Sequence, residues 1–153
     1  MLQLAKFIYK LQNILNIKNK IEDQAKNEYA IAKNALDQEV DKLSNLMTRK
    51  FFYEKKFLGE IKQALNIKDI NLCRQAIKTM EYHVEEQQRN VEVAEKKLEI
   101  ARVKMSEAMI DRKTHEKLKE NAFEDFVAEL NHEENKEVDE LVSYKYNNNG
   151  EDE

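Results

Sequence analysis

The sequence lacks the residues that end helices and build turns: among 153 residues there is no proline and there are only two glycines. Because proline breaks helices and glycine favours turns, their scarcity predicts long helices joined by few connections. Aromatic residues make up only 8% of the chain and tryptophan is absent. This composition argues against a compact globular core and favours an elongated coiled coil.

The chain is also short of cysteine, of excess positive charge and of long apolar runs. A single cysteine, Cys73, excludes an internal disulfide and is typical of a reducing compartment. A net charge of −4 at pH 7 leaves no surplus of cations to neutralise phosphates, so nucleic acid is a poor candidate partner. No apolar run approaches the roughly 20 residues of a membrane span. Lys6 and Lys10 interrupt the apolar stretch that a secretory signal would need.

What the sequence does contain is a regular apolar repeat in its second half. Positions separated alternately by four and three residues are nearly all apolar, and those between them are mostly Glu, Lys, Arg and Gln. The repeating positions are Cys73, Ile77, Met80, Val84, Gln87, Val91, Ala94, Leu98, Ala101, Met105 and Ala108. This is the heptad pattern of a helix that packs a narrow apolar stripe against another helix.

The first half carries a different repeat, with steps of four, four and three residues that only Glu54 interrupts. Its positions are Ile21, Ala25, Tyr29, Ala32, Leu36, Val40, Leu43, Met47, Phe51, Glu54 and Leu58. Eleven residues in three turns favour straight or slightly right-handed winding, whereas heptads favour left-handed winding. Pairing of the two helices therefore predicts an all-α fold, a long antiparallel two-helix coiled-coil hairpin that is nearly straight.

The turn of this hairpin is predicted at about residues 66–69. Asp69 or Asn71 is expected to cap the second helix by accepting hydrogen bonds from its free N–H groups. The first helix is then predicted over about residues 3–65 and the second over about residues 70–143.

These bounds give a single hairpin over residues 1–146 and an acidic tail over 147–153, which has little to bury and is expected to be disordered. Folding back brings large side chains together at the open end. They are Leu4, Phe7, Tyr9, Leu11, Phe123, Phe126 and Leu130. Residues 111–121 instead face the polar stretch 18–24, so the seam is expected to be thin there and amide exchange faster than on either side.

The motifs give no support to catalysis, metal binding or nucleotide binding. The sequence from His115 starts like a zinc-protease motif, but Lys119 stands where the second His is required. No glycine-rich phosphate loop is present, so nucleotide binding is not expected. Cys73 is interpreted as a packing residue rather than a reactive thiol. Because a two-helix rod has almost no concave interior, we expect no enzymatic activity, no catalytic residues and no cofactor.

Two features leave alternatives open. The amphipathic N-terminus either lies in a membrane interface, with Lys6 and Lys10 toward acidic lipids, or forms the end of the seam against Phe123 and Phe126. A run of aromatic residues either anchors a protein partner or packs near the turn. Its members are Phe51, Phe52, Tyr53 and Phe57.

Characteristic residues occur near both ends of the chain. They comprise residues 7–18 and 21–26 at the N-terminus, and residues 112–120 and 136–140 with Phe126, Glu129 and Glu133 at the C-terminus. In these residues, in its length and in the position of its turn, the chain resembles the FliJ family. These are soluble coiled-coil proteins of the bacterial flagellar type III export apparatus, and their injectisome relatives are the YscO-type stalk proteins.

The resemblance implies a long antiparallel two-helix coiled coil similar to the central rotor shaft of rotary ATPases. It also implies that the open end enters the pore of the hexameric flagellar export ATPase FliI and promotes ring assembly and turnover. The matching ATPase-binding positions are Leu4, Phe7, Lys10, Leu11, Phe126, Leu130, Glu133 and Lys136.

The family resemblance further implies contacts with the linker of the export gate protein FlhA and with export chaperones that have released their cargo. The matching gate-binding positions are Lys42, Leu46, Arg49, Tyr53, Ala76, Met80, His83 and Gln87. Leu46, Tyr53 and Met80 keep the character expected of the family, and the other five depart from it. A cytoplasmic location, peripheral to the inner face of the membrane at the flagellar base, is also implied.

The functional prediction is a rod that links the export ATPase to the gate, so that hydrolysis and proton-driven export are coupled. One alternative is a generic structural or scaffolding coiled coil that forms a homodimer, which a hairpin that stays monomeric at high concentration would contradict. A rotor stalk of an F- or V-type ATPase would need an added globular domain. A prefoldin-like holdase would need strands near the turn, where the sequence indicates helix and turn.

Overall fold

The computed structural model consists of two long helices that pack against each other. The structure describes residues 5–63 and 66–149. Helix α1 spans Gln12–Lys62 and helix α2 spans Ile67–Asn149, and there is no strand among the described residues. The all-α helical hairpin predicted from the shortage of proline and glycine is therefore confirmed.

The contacts divide the chain into two compact units. Unit 1 comprises the described residues of 1–22 and 108–153, and unit 2 those of 23–107. Within unit 2, the last turn of α1 contacts the second turn of α2 through Glu60 and Cys73, whose side chains lie 3.2 Å apart. The two helices of unit 2 are therefore antiparallel.

The heptad stripe predicted on α2 is the face that packs. Six of its eleven positions are buried and the other five are half-buried. The buried ones are Cys73, Val84, Gln87, Ala94, Ala101 and Ala108, each no more than 8% exposed. Because charged and polar residues occupy most positions outside the stripe, the amphipathic pattern favours covering this one face.

Helix α1 does not bury the eleven-residue stripe expected from its sequence. Five members of that stripe are exposed by 44% or more, namely Ile21, Val40, Met47, Phe51 and Leu58. From Glu22 onward, the buried and half-buried positions other than Glu54 follow heptad spacing instead. They are Glu22, Ala25, Tyr29, Ala32, Leu36, Glu39, Leu43, Leu46, Lys50, Tyr53, Phe57 and Glu60. The physical reason is that paired helices wind together. The heptad repeat of α2 therefore imposes the same seven-residue spacing on the buried positions of α1.

In unit 1, the beginning of α1 packs against the later part of α2. Leu15 is only 4% exposed and Glu22 only 3%. The Arg112 guanidinium donates hydrogen bonds to the Glu22 carboxylate, and the Lys18 ammonium lies 2.8 Å from the Asp111 carboxylate. Polar pairs thus occupy the stretch where the sequence predicts a thin apolar seam, and faster amide exchange there stays a prediction.

The start of α1 differs from the sequence prediction. The helix begins at Gln12 rather than near residue 3, after a turn in which the Gln12 N–H donates to the Tyr9 carbonyl at 3.2 Å. The residues before this turn have helical periodicity in sequence, but Phe7 packs on Phe123 and Phe126 of α2. Tertiary contact therefore outweighs local preference at this end.

The cap of α2 is Asn66, not Asp69 or Asn71 as expected. The Asn66 side-chain oxygen accepts a hydrogen bond from the Lys68 N–H at 3.3 Å, and its carbonyl accepts from Asp69 and Ile70. This satisfies N–H groups that the first turn of a helix leaves without intrahelical partners. Asp69 lies inside the first turn, where its negative charge interacts favourably with the helix dipole.

The end of α2 also differs from the prediction. The helix runs to Asn149 rather than to about residue 143, so the first three residues of the predicted disordered tail are helical. Residues 150–153 lie outside the described residues. The sequence has no proline or glycine between Ile67 and Asn149, so nothing in this range ends the helix earlier.

Candidate partner-binding surfaces

An aromatic cluster joins the N-terminal segment of unit 1 to α2. The ring centroid of Phe7 lies 5.3 Å from that of Phe123 in an edge-to-face arrangement and 5.4 Å from that of Phe126. Tyr9 stacks on Phe7 at 6.5 Å. Such contacts stabilise an otherwise irregular segment. Phe123 remains 48% exposed, so the cluster also presents aromatic surface to solvent.

The predicted ATPase-binding residues lie in and around this cluster, except Leu4, which falls outside the described residues. Lys10 and Leu11 form the turn before α1, and Leu11 is 45% exposed. On α2, the predicted residues Phe126 and Leu130 are half-buried. Glu133 and Lys136, further along the helix, are exposed. The structure therefore brings Phe7 and Phe126 into contact and leaves Lys10, Glu133 and Lys136 in solvent.

Helix α2 of unit 1 continues beyond Leu130 with every described residue exposed. Val138, Leu141 and Val142 in this extension are 56%, 61% and 60% exposed. Residues 131–149 contain five Asp and Glu residues but only two Lys residues. Exposed apolar side chains on an acidic helix form a surface suited to a protein partner. We call residues 131–149 the acidic extension.

Five of the eight predicted gate-binding residues line one groove of unit 2, although they come from two helices. They are Leu46, Arg49, Met80, His83 and Gln87. The groove also includes Glu86, whose carboxylate lies 3.9 Å from the Nδ1 atom of His83, and Asn90. It thus combines apolar side chains with charges of both signs, which suits a short amphipathic peptide. We call this the two-helix groove.

The remaining predicted gate-binding residues have other surroundings, and Gln87 has a structural role. The Gln87 amide is buried and donates to the carbonyl of Glu39 at 2.9 Å and to its carboxylate. This hydrogen bond is the main cause that lowers the pKa of Glu39, and Lys42 at 3.5 Å contributes. Tyr53 and Ala76 are half-buried. Gln87 therefore holds the helices together and is a poor candidate for a partner contact.

Sequence reasoning missed an exposed apolar surface on α1 of unit 2. Val40, Met47, Phe51 and Leu58, which the eleven-residue repeat assigned to the seam, are between 44% and 58% exposed. The Lys55 ammonium lies 4.7 Å from the Phe51 ring centroid. A helix that carries an eleven-residue stripe cannot keep it against a heptad partner. That mismatch between the two repeats was the available signal.

The described residues form neither a metal-binding cluster nor an activated thiol. Within residues 5–63 and 66–149, no group of three or more His, Cys, Asp or Glu side chains is placed to hold a metal ion. The buried Cys73 thiol donates a hydrogen bond to the Glu60 carboxylate at 3.2 Å. That hydrogen bond, together with burial, raises the pKa of the Cys73 thiol, which disfavours the reactive thiolate. Over the described part of the chain, neither helix contains a stretch apolar and long enough to cross a membrane.

Comparisons with known proteins agree with this architecture. The chain is similar to a solved structure described as that of a YscO homolog from Chlamydia trachomatis, with a TM-score of 0.69, 21% sequence identity, and coverage of 97% of this chain and 100% of the other. At this identity the likeness concerns the fold. No curated protein matches the chain significantly. The profile of the flagellar FliJ protein family matches residues 7–151, and the chain therefore belongs to the FliJ family.

Proposed function

We propose that this chain is a component of flagellar protein export that contacts the hexameric export ATPase with unit 1 and the export gate protein with unit 2. Membership of the FliJ family supports an export-associated role. The chain itself performs no catalysis in this proposal and stimulates its partner ATPase. Contacts with export chaperones and a position at the inner face of the membrane at the flagellar base belong to the same proposal.

The observation that carries the proposal is the acidic extension. It continues α2 beyond the aromatic cluster, and its apolar side chains Val138, Leu141 and Val142 are more than half exposed. Docking of an amphipathic helix into an apolar site of a larger partner would cover these side chains. Its acidic charge would also guide it toward a basic pore or rim. Lys10, Leu11 and Lys136 would lie beside the same contact.

The test is ATP turnover and ring assembly of the flagellar export ATPase with and without this protein. A Leu11→Ser, Leu141→Ser variant removes two exposed apolar side chains of the proposed ATPase contact, which are 45% and 61% exposed. Ile100→Ser, at a position of unit 2 that is 58% exposed, is the matched control. We expect stimulation by the wild type and the control but not by the double variant, while circular dichroism shows unchanged helicity. Absence of stimulation by the wild type at micromolar concentration would contradict the ATPase contact.

The gate contact is tested separately at the two-helix groove. Arg49 and His83 are exposed there, so their replacement should leave the packing of unit 2 intact. We expect Arg49→Glu with His83→Glu to weaken binding of the cytoplasmic gate linker by on the order of 10-fold or more, as substitutions at an interface centre do. Arg89→Glu, also exposed on α2, is the control. Equal affinity of the double variant and the wild type would exclude this groove as the gate site.

A further inference from the structure

Positive charge is concentrated around the turn of unit 2, although the whole chain is acidic. Residues 42–78 contain nine of the 26 Lys and Arg residues but only three of the 30 Asp and Glu residues. Two of these three acids are engaged within the hairpin: Glu54 pairs with Lys50 at 3.8 Å, and Glu60 accepts the Cys73 thiol. The surface around the turn is therefore strongly basic.

Apolar side chains are exposed among these cations. Phe51 and Leu58 are 57% and 58% exposed, and Lys55 and Lys62 are exposed as well. At 3.6 residues per turn, these four residues share one sector of α1 about 60° wide. The sector alternates an apolar residue with a lysine. We call it the basic apolar face. Around the axis of α1, this face lies roughly opposite Leu46, which lines the two-helix groove.

Further apolar residues are exposed near the turn, on both helices. They are Phe52, Ile61, Ile67 and Leu72, which are between 48% and 77% exposed. A polyanion such as nucleic acid would neutralise the lysines but leave these side chains in water. A bilayer surface offers anionic headgroups to the lysines and a hydrocarbon boundary to the apolar groups, while the long lysine stems reach back to the headgroups.

We propose that the basic apolar face binds the surface of a membrane that contains anionic lipids, with the helix lying in the interface rather than crossing it. The charge complementarity between lysines and headgroups supplies the attraction, and Phe51 and Leu58 insert at the headgroup boundary. This contact requires neither the export ATPase nor the gate protein. It would place the turn of unit 2 at the membrane while the opposite side of α1 stays accessible.

The test is cosedimentation of the full chain with large unilamellar vesicles of phosphatidylcholine alone or with phosphatidylglycerol added. We expect binding only to the anionic vesicles, and weaker binding at high salt. Lys55→Gln with Lys62→Gln should reduce the partition coefficient by on the order of 25-fold, from about fivefold for each basic residue near the surface. Lys96→Gln with Lys104→Gln removes the same charge from exposed positions of α2 and should have little effect.

A second variant separates insertion from charge alone. Phe51→Ser with Leu58→Ser keeps all the lysines and should also weaken binding to anionic vesicles, because it removes the inserting groups. Equal binding to both vesicle types, equal losses in the two lysine variants, or full binding by the serine variant would each overturn the proposal. Absence of vesicle binding would overturn it as well. Circular dichroism should confirm equal helicity in all variants.

Discussion

Leu15 offers a sharp test of the packing in unit 1. It is 4% exposed in α1, whereas Ile17, two residues further along the same helix, is 55% exposed. Replacing either with Ala removes three carbon atoms and leaves a residue that favours helix. The two variants therefore differ chiefly in how much apolar surface each side chain buries.

The expected magnitudes follow from burial. At about 0.8 kcal/mol per buried methylene, Leu15→Ala loses about 2.4 kcal/mol of transfer free energy, and any residual cavity raises the cost toward about 5 kcal/mol. Ile17→Ala loses less than half of the same transfer term, about 1 kcal/mol, and leaves no cavity because water reaches the site. For a chain of this size, each kcal/mol lowers Tm by about 2–4 °C.

Thermal unfolding followed by far-ultraviolet circular dichroism would measure the difference. We expect Leu15→Ala to lower Tm by about 5–20 °C and Ile17→Ala by only about 2–4 °C. Equal decreases in the two variants would refute the assignment of Leu15 to the packed face. An Ile14→Ala variant, at a position that is 40% exposed, should lie between them.

Three further predictions concern unit 2 and the polar stretch of unit 1. The Cys73 thiol is buried and its pKa is raised chiefly by the hydrogen bond to Glu60, so alkylation of this thiol at mildly alkaline pH should be slow. Glu60→Gln should accelerate the alkylation. A wild-type rate equal to that of the unfolded chain would contradict this. The hydrogen bond from Lys18 lowers the pKa of Asp111, so its contribution to stability is present at neutral pH and is lost as pH falls below about 4 through the lower folded value. Urea unfolding should show a smaller loss on acidification for Lys18→Met than for the wild type. Hydrogen exchange should be faster in residues 111–121 than in their neighbours, because polar pairs replace apolar packing there; uniform protection would argue otherwise.

The fold could be predicted from sequence to the extent that one helix alone specifies its packed face. On α2, charges surround a single heptad stripe, so Val84, Ala94 and Ala101 could be assigned to the interior without knowledge of the partner. On α1 the most apolar stripe is not the packed one. Which of its residues are covered depends on the winding of α2, and this is why Val40 and Met47 were predicted inside and lie outside.

The candidate sites were predictable only in part, for a related reason. Spacings of three and four residues place Leu46 and Arg49 on one face of α1, and Met80 and His83 on one face of α2. That the two faces meet in one groove depends on the hairpin register, which the sequence leaves approximate. The start of α1 was missed because the contact of Phe7 with Phe126 joins residues that are distant in sequence, and local periodicity carries no information about it.

The polar layers have a mechanical consequence. Glu39 pairs with buried Gln87 in unit 2, and buried Glu22 pairs with Arg112 in unit 1. Purely apolar heptads can slide past each other by seven residues at modest cost, since every layer resembles the next. A slide within either unit would instead separate its polar pair and leave buried polar groups without partners, which is unfavourable. We therefore expect the helices of each unit to resist sliding along each other. Under load, the packing should separate in one step rather than shift heptad by heptad.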